Sequence, residues 1–145
     1  NQSLALETEG KHLDRDRIES GVRALLSDEG KGVYWVATEG DRVIGQLMLT
    51  YEWSDWRNGT FWWIQSVYVA PDRRRQGVFR ALYRHVAELA RRDPGVCGLR
   101  LYMEHSNHTA SRAYHQLGFQ RAGYEVFEID FVQNLCDPKP TEGTA

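Results

Sequence analysis

The stretch that decides the fold runs from Phe61 to Ala90 and reads FWWIQSVYVAPDRRRQGVFRALYRHVAELA. Residues 61–69 are rich in aromatic and β-branched side chains, which favour a mostly buried strand. Pro71 has no backbone N–H to donate to a sheet, so the strand is expected to end before it. From Gly77 onward apolar side chains recur every three or four residues, with arginines on another face, which predicts an amphipathic helix.

The turn between this strand and this helix, Arg73 to Gly77, predicts a site for an anion. The first backbone N–H groups of a helix have no partner within the helix, and the helix dipole is positive at that end. Gly77 carries no Cβ, so a ligand can approach the backbone closely there. We therefore expect this turn to bind a phosphate group, assisted by neighbouring arginines. The alternative is that the seven arginines between positions 73 and 92 only form a solvated helix face.

Two motifs in the chain resemble the GCN5-related N-acetyltransferase (GNAT) superfamily. The run from Arg74 to Phe79 is similar to the family's acetyl-CoA-binding motif, R/Q-x-x-G-x-G/A. Arg74 and Gly77 match this motif, whereas Phe79 stands where Gly or Ala is usual. The run from Asn107 to Phe119 resembles the family's N-x-x-A-x-x-x-Y-x-x-x-G-F segment at the usual distance downstream. The resemblance covers roughly the whole chain from the first helix onward.

The order of predicted elements and the resemblance together imply an α/β (α+β) fold with a mixed, mostly antiparallel twisted sheet flanked by helices. The predicted elements are a helix closing near Leu4 and Leu6, a helix at 14–26, strands at 33–38, 42–52 and 61–69, a loop at 53–60, the helix from 77, a strand at 98–104, a helix at 109–117 and closing strands at 119–122 and 124–132. The family has a further strand before its first helix, and this chain offers no segment for it. We therefore expect the first family strand to be absent, either because the chain starts after it or because that sheet edge is built differently.

The composition is that of an ordinary globular protein, since 41% of the 145 residues are apolar and 26% are charged. The net charge of −2 is not that of a general nucleic-acid binder, and no apolar run is long enough to cross a membrane. Cys97 and Cys136 lack metal-binding spacing and are expected to be reduced thiols of a cytoplasmic protein. We predict a single GNAT-like domain over residues 1–136 and a flexible tail over 137–145.

The resemblance implies a site for acetyl-CoA. In the family, the strand before the motif separates from its neighbour and offers backbone groups to the pantetheine arm; here that strand is residues 65–69, with Val67 and Val69 the expected contacts. Asn107 is expected either to contact the cofactor or only to cap a helix. The residues assigned to the cofactor are Val67, Tyr68, Val69, Arg74, Arg75, Gln76, Gly77, Val78, Phe79, Arg80 and Asn107.

Acetyl transfer to an amine also needs a base and a proton for the departing thiolate. Tyr114 matches the family's general acid, although an aromatic residue at helical spacing can equally be a core residue. Glu104 and Glu52, near the ends of predicted strands, are the candidates for the base, directly or through water; a glutamate at a strand end is otherwise simply solvated. A metal site at the histidines of 105–115 is rejected, because no other ligand is in register and the family uses no metal.

Aromatic and acidic residues are concentrated on the expected acceptor side. The aromatic residues there are Tyr51, Trp53, Trp56, Trp62, Trp63 and Tyr102. Glu52, Asp55 and Glu104 among them would suit a cationic amine held by charge and by aromatic faces. We therefore expect an N-acetyltransferase acting on a primary amine of a small molecule or peptide, with no metal, membrane or nucleic-acid partner and with a homodimer left open. The alternative is a non-catalytic GNAT-fold binding module, in which Phe79 blocks the cofactor and the arginine-rich face binds an anionic partner such as RNA.

Overall fold

The computed structural model describes residues 1–10 and 12–132. Its helices are α1 (Gln2–Glu9), α2 (Arg15–Leu26), α3 (Val78–Arg92) and α4 (His108–Gln116), and a short 3-10 helix covers Pro71–Arg73. Its strands are β1 (Val33–Glu39), β2 (Arg42–Ser54), β3 (Gly59–Val69) and β4 (Val96–Leu101). The described residues divide into two compact units, 1–101 and 102–132, so that the sheet and the first three helices form the first unit.

The four strands form one sheet in the order β1-β2-β3-β4. The pairs β1–β2 and β2–β3 are antiparallel, whereas β4 runs parallel to β3 because α3 connects them as a crossover. This confirms the predicted mixed, mostly antiparallel sheet with flanking helices. Within the described residues β1 is the first strand, and none precedes α1.

Helix α3 packs one apolar face on the sheet, as its sequence period predicts. Leu82 and Val86 of α3 are buried, together with Leu47 and Leu49 of β2. The helix can come this close because of Gly45: a Cβ at this position would lie 2.6 Å from Cγ1 of Val78. The contact fixes the first turn of α3 over β2, and with it the turn that precedes the helix.

The prediction of two closing strands at 119–122 and 124–132 is wrong, because residues 119–132 contain no strand. This segment is rich in strand-favouring residues, but strand propensity is largely a measure of packing against neighbouring strands. Val126, Phe127 and Ile129 are instead 72%, 90% and 79% exposed. Strand-favouring side chains in this segment therefore do not produce a strand, because no neighbouring strand pairs with it.

Two smaller predictions also differ from the structure. The strand expected at 98–104 lies at Val96–Leu101, and the loop expected at 53–60 is shorter, because β2 continues to Ser54 and β3 begins at Gly59. The tight connection of residues 55–58 makes β2 and β3 one long hairpin, in which Asn58 takes a positive φ of 43°. The predicted tail at 137–145 and Cys136 lie outside the described residues.

Candidate active site

β3 carries a bulge in its second half. The register between β2 and β3 shifts between Gln46 and Met48, and Ser66, on the opposite strand, has a φ of +48°. A bulge adds one residue to a strand and bends it. The parallel ladder between β3 and β4 ends at the pair Ile64–Leu101, before this bulge. Among the described residues, β3 beyond this pair has a strand partner on the β2 side only.

The backbone of the last β3 residues faces this open edge. The N–H of Ala70 donates to the carbonyl of Ile44, on the β2 side, at 2.9 Å. Because a trans peptide holds its C=O and N–H in opposite directions, the carbonyl of Val69 points away from β2. Val67 lies two residues earlier and presents its backbone groups in the same direction. These are the two residues whose backbone the sequence predicted for the pantetheine arm.

The turn after β3 leaves a helix start open to a ligand. Gly77 precedes α3 with φ +84° and ψ 6°, and a Cβ built on it would meet no atom within 4 Å. The first bond of the helix runs from the N–H of Ala81 to the carbonyl of Gly77, so the N–H groups of residues 78–80 have no acceptor within α3. Arg75 also has a positive φ, 61°, which turns the chain sharply into the helix. The geometry is that of an anion-binding helix start.

Ion pairs hold this turn to the hairpin of β1 and β2. Arg73 pairs with Glu39, and Asp72 accepts two hydrogen bonds from Arg42, both at 2.8 Å. Gln76 donates from its side-chain amide to the carbonyl of Asp72 at 2.9 Å and closes the turn on itself. The side chain of Gln76 is therefore engaged within the loop, so a ligand at this position would meet backbone rather than amide.

Arg74 is engaged with β3 and α1. Its Nε donates to the carbonyl of Val69 at 3.1 Å, and its guanidinium pairs with Glu7 of α1. The guanidinium carbon lies 5.6 Å from the centre of the Tyr68 ring, and the Tyr68 hydroxyl donates to Glu7 at 3.0 Å. Hydrogen bonds from Arg74 and then from Tyr68 lower the pKa of Glu7. The carboxylate therefore stays ionised beside the expected cofactor site.

Two further arginines, one inside the motif and one directly after it, remain available for an anion. Arg75 and Arg80 are exposed, and neither forms an ion pair with any of the residues that the structure describes. Phe79, between them, is half-buried and its ring lies 6.4 Å from that of Tyr83, one turn further along α3. Tyr83 is buried, so Phe79 extends the apolar packing of the helix.

Glu52 lies in a cluster of polar and aromatic side chains on β2, β3 and β4. Nε1 of Trp63 donates to it, and Nη1 of Arg100 lies 3.0 Å from both of its carboxylate oxygens. The hydrogen bond from Trp63 and then the one from Arg100 lower the pKa of Glu52. A carboxylate with a lowered pKa is ionised at neutral pH but is a weaker base.

The other predicted site residues, one for the cofactor and two for catalysis, belong to the second unit. Asn107 caps α4 by accepting a hydrogen bond from the N–H of Ala110 at 3.0 Å. Glu104 accepts from the hydroxyl and the N–H of Ser106, and the hydroxyl bond is the main cause of its lowered pKa. Tyr114 is half-buried in α4, where its ring packs edge-on against Phe119 with centres 6.0 Å apart. Burial raises the pKa of the Tyr114 hydroxyl, which keeps it protonated over a wider pH range.

The aromatic residues expected at the acceptor side are not one cluster. Trp62 packs edge-on against Tyr51, with ring centres 6.4 Å apart. Trp53 and Trp56, near the hairpin turn, are 64% and 84% exposed. Trp63 belongs to the Glu52 cluster instead, on the opposite face of β3 from Trp62.

With this geometry established, a model of the acetyltransferase (GNAT) family matches residues 3–119. The chain belongs to the GNAT acetyltransferase family. The match includes both motifs that resemble the family in sequence, the turn before α3 and the whole of α4.

Similar proteins include other acetyltransferases. A thialysine N-epsilon-acetyltransferase of Caenorhabditis elegans is 29% identical over 107 residues, which make up 70% of this chain and 66% of that protein, just under two thirds of its length. The crystal structure of a possible acetyltransferase from Clostridium difficile 630 is 47% identical, with a TM-score of 0.85 over 91% of this chain and 87% of that one. An integron cassette protein from the mobile metagenome of Cole Harbour Salt Marsh is 22% identical, with a TM-score of 0.77 over 92% and 82%, and shares the fold.

Sequence reasoning missed two residues around the GNAT motif and its neighbouring strands. Glu7 reaches Arg74 across 67 positions, and Arg100 reaches Glu52 across 48. An alternation of charges along a strand or helix cannot reveal either pair, because both depend on which elements become neighbours in the fold. In the described part of the chain, no helix is long and apolar enough to span a membrane, and no three of its His, Cys, Asp and Glu side chains could together hold a metal ion.

Proposed function

We propose that the protein is an acetyl-CoA-dependent N-acetyltransferase that moves the acetyl group to a primary amine of a small molecule or peptide. The observation that carries this proposal is the continuity of two backbone surfaces. The open edge of β3 at Val67 and Val69 leads, through one short turn, to the open helix start after Gly77. Acetyl-CoA has an extended, amide-containing pantetheine arm followed by a diphosphate. The arm would bind the open strand edge and the diphosphate the open helix start, which is the order of these two surfaces along the chain.

The proposed reaction is a direct transfer within a ternary complex. The amine nitrogen attacks the thioester carbonyl, the new C–N bond forms, and the C–S bond breaks. The amine loses one proton to a base, and the departing thiolate takes one proton from Tyr114. The raised pKa of Tyr114 supports this role, because a general acid must be protonated when the thiolate leaves.

Glu52 and Glu104 are the proposed bases, directly or through water. Both carboxylates have lowered pKa values, so both are ionised and able to accept a proton at neutral pH. Since a lowered pKa weakens a base, a water molecule that passes the proton on suits either residue better than direct abstraction from a protonated amine. The backbone of Arg75 to Arg80, with the charges of Arg75 and Arg80, is the proposed diphosphate site.

For the acceptor, we propose only the class of substrate, a primary amine. The C. elegans relative is named for thialysine, an amine-bearing small molecule, which supports a small acceptor. The proposed reaction uses no metal. A cytoplasmic location and a homodimer remain predictions from the sequence.

Acetyl-CoA binding is the direct test. A ligand that binds only the folded state raises the melting temperature, by an amount that grows with its concentration over its Kd. We expect coenzyme A and acetyl-CoA to raise the melting temperature. Pantetheine, which lacks the diphosphate, should raise it less. No shift at millimolar ligand would overturn the proposal.

A binding module of the same fold is the second candidate, and Phe79 is the observation that favours it. If Phe79 excludes the cofactor, Phe79→Gly should create acetyl-CoA binding that the natural chain lacks. The contact between Phe79 and Tyr83 instead supports a packing role for this ring. RNA binding that weakens steeply with salt, without acetyl-CoA binding, would favour the module.

A further inference from the structure

Two arginines lie on the ring of one phenylalanine. The guanidinium carbon of Arg100, on β4, is 3.7 Å from the centre of the Phe61 ring, and that of Arg57, in the hairpin turn, is 5.0 Å from it. Phe61 itself is only 7% exposed. It has room because residue 98 is a glycine, where a Cβ would lie 2.7 Å from the ring. The ring therefore fixes two cations at one place on the sheet.

One carboxylate balances only one of these cations. Glu52 pairs with Nη1 of Arg100, whereas Arg57 forms no ion pair with any described residue. The three side chains together carry one net positive charge. A cationic acceptor would have to compete with Arg100 for Glu52, so this cluster disfavours Glu52 as the counter-charge of the cationic amine that the sequence suggested.

The cluster lies on the sheet face opposite α3. Val78 of α3 touches Gly45, so Gly45 and Leu49 face α3, and Ile64 does so as the partner of Leu49. Side chains alternate along a strand, so Phe61 and Trp63 face the other way. Arg100 is the register partner of Trp63.

The same face continues directly into the open edge of β3. Trp63 is followed two residues later by Gln65, at a separation of about 7 Å along the strand. The pair Trp63–Arg100 comes directly before the pair Ile64–Leu101, at which the parallel ladder ends and the open edge of β3 begins, so Arg100 lies on β4 next to the start of the proposed cofactor strand.

We propose that Arg100 and Arg57 form a subsite for a carboxylate of the acceptor, so that the acceptor is an amino-acid-type amine. This inference rests on the proposed function and specifies its substrate class. A guanidinium presents a planar fork of N–H donors that matches a carboxylate, and Arg100 uses only one of its nitrogens on Glu52. Stacking on Phe61 restrains both side chains before the ligand arrives, which reduces the entropy that binding must remove. The Arg100 side chain is 25% exposed and can be reached.

Pairs of amines that differ only in a carboxylate test the subsite. Lysine and cadaverine, ornithine and putrescine, and β-alanine and ethylamine are each compared as acceptors by the release of coenzyme A. We expect kcat/KM to favour the carboxylate-bearing member of at least one pair by about tenfold or more, as for a charge-assisted hydrogen bond. Arg100→Gln should abolish that preference mainly through KM, and Arg57→Gln should reduce it severalfold. Arg92→Gln is the matched control, since Arg92 also pairs with a glutamate but lies at the end of α3; it should keep the preference.

Direct binding of the same amines, measured by calorimetry without acetyl-CoA, gives a readout that does not depend on acetyl transfer. Lysine should bind more tightly than cadaverine to the natural protein, and this difference in affinity should shrink severalfold in the Arg57→Gln variant, which removes no ion pair and should fold normally. Equal use and equal binding of both members of every pair would overturn the subsite, and so would a preference that survives in both arginine variants. Failure to bind acetyl-CoA would overturn the proposed function instead, while the binding experiment still decides the subsite.

Discussion

Nε of Arg74 lies 3.1 Å from the carbonyl oxygen of Val69, on the edge of β3 that β4 leaves open. The arginine of the family motif thus binds the strand that leads into its own turn, and Glu7 of α1 holds the other side of its guanidinium. Helix α1 is therefore connected electrostatically to the proposed cofactor site. A cofactor arm that uses the Val69 carbonyl either shares its second lone pair or takes the place of Arg74 there.

Replacing Glu7 by glutamine should strengthen cofactor binding. The change removes a negative charge beside a site for a polyphosphate and releases Arg74 from its partner. We expect the Kd for coenzyme A, measured by calorimetry at low salt, to fall by roughly two- to fivefold, and this gain to shrink as salt screens the charges.

Glu19→Gln is the control for this change, because Glu19 also pairs with an arginine, Arg23, and is also exposed, but lies on α2. It should leave the Kd unchanged. An equal Kd for the Glu7→Gln variant and the natural protein at low salt would show that this ion pair does not influence the site.

Gly77→Glu should abolish cofactor binding without unfolding the domain. A Cβ at Gly77 would meet no other atom, so a glutamate side chain there can extend into the proposed diphosphate position, where its negative charge would repel the ligand. Gly40→Glu is a matched control, since Gly40 also has a positive φ, 58°, and open space around it, but lies in the β1–β2 turn. Calorimetry should detect no coenzyme A binding for Gly77→Glu and normal binding for Gly40→Glu; normal binding to both would place the cofactor elsewhere.

Tyr114→Phe should lower kcat by roughly 10²-fold or more while the KM for acetyl-CoA changes little. The substitution keeps the ring that packs against Phe119 and removes only the hydroxyl. Burial raises the pKa of Tyr114, so the natural enzyme should lose activity only as the pH rises through a value above the ordinary tyrosine pKa. Tyr124→Phe, at an exposed position of the same unit, should have no effect; full turnover by Tyr114→Phe would instead make this tyrosine a packing residue.

Trp63→Phe should raise the pKa of Glu52, because the indole N–H is the main cause of its lowered value. An NMR titration of the Glu52 carboxyl in both proteins measures this directly. The same group contributes stability above its ordinary pKa that is lost as the pH falls through its lowered pKa in the folded state, so this acid-sensitive contribution should shrink in the variant. An unchanged carboxyl titration would mean that Arg100 alone sets the pKa.

Gly45→Ala should destabilise the fold by about 1–3 kcal/mol, since its Cβ would overlap Val78 at the start of α3. Val78→Ala removes the methyl groups that it would meet. In a double-mutant cycle by urea unfolding, the two changes together should therefore cost less than their sum. Additive costs would indicate that α3 shifts as a whole.

The sequence could predict the parts of the site that depend on neighbouring residues. The strand of 61–69, the turn at Gly77 and the helix that follows are each specified by side-chain period, proline and glycine within a few positions. The caps at Asp14 and Asn107 follow from equally local chemistry, and both are present in the structure.

The remaining features depend on which distant segments meet. The partners of Arg74 and Glu52 come from α1 and β4, and no local pattern names them. The segment 119–132 shows the opposite error, because its residues favour a strand but no strand lies beside it. The bulge at Ser66 could not be predicted either, since a serine has no special preference for a positive φ.

That bulge shifts the phase of β3 by one residue. Gln65 opposes Met48 and Tyr68 opposes Gln46, so two residues separated by three positions share one face of the sheet. If the same residues paired without the bulge, Tyr68 would oppose Gly45 and turn its ring towards α3, and its hydroxyl could not reach Glu7. Regular pairing of the same residues would exchange the two faces of β3 beyond position 66, so the register of this strand is as much a part of the site as its side chains.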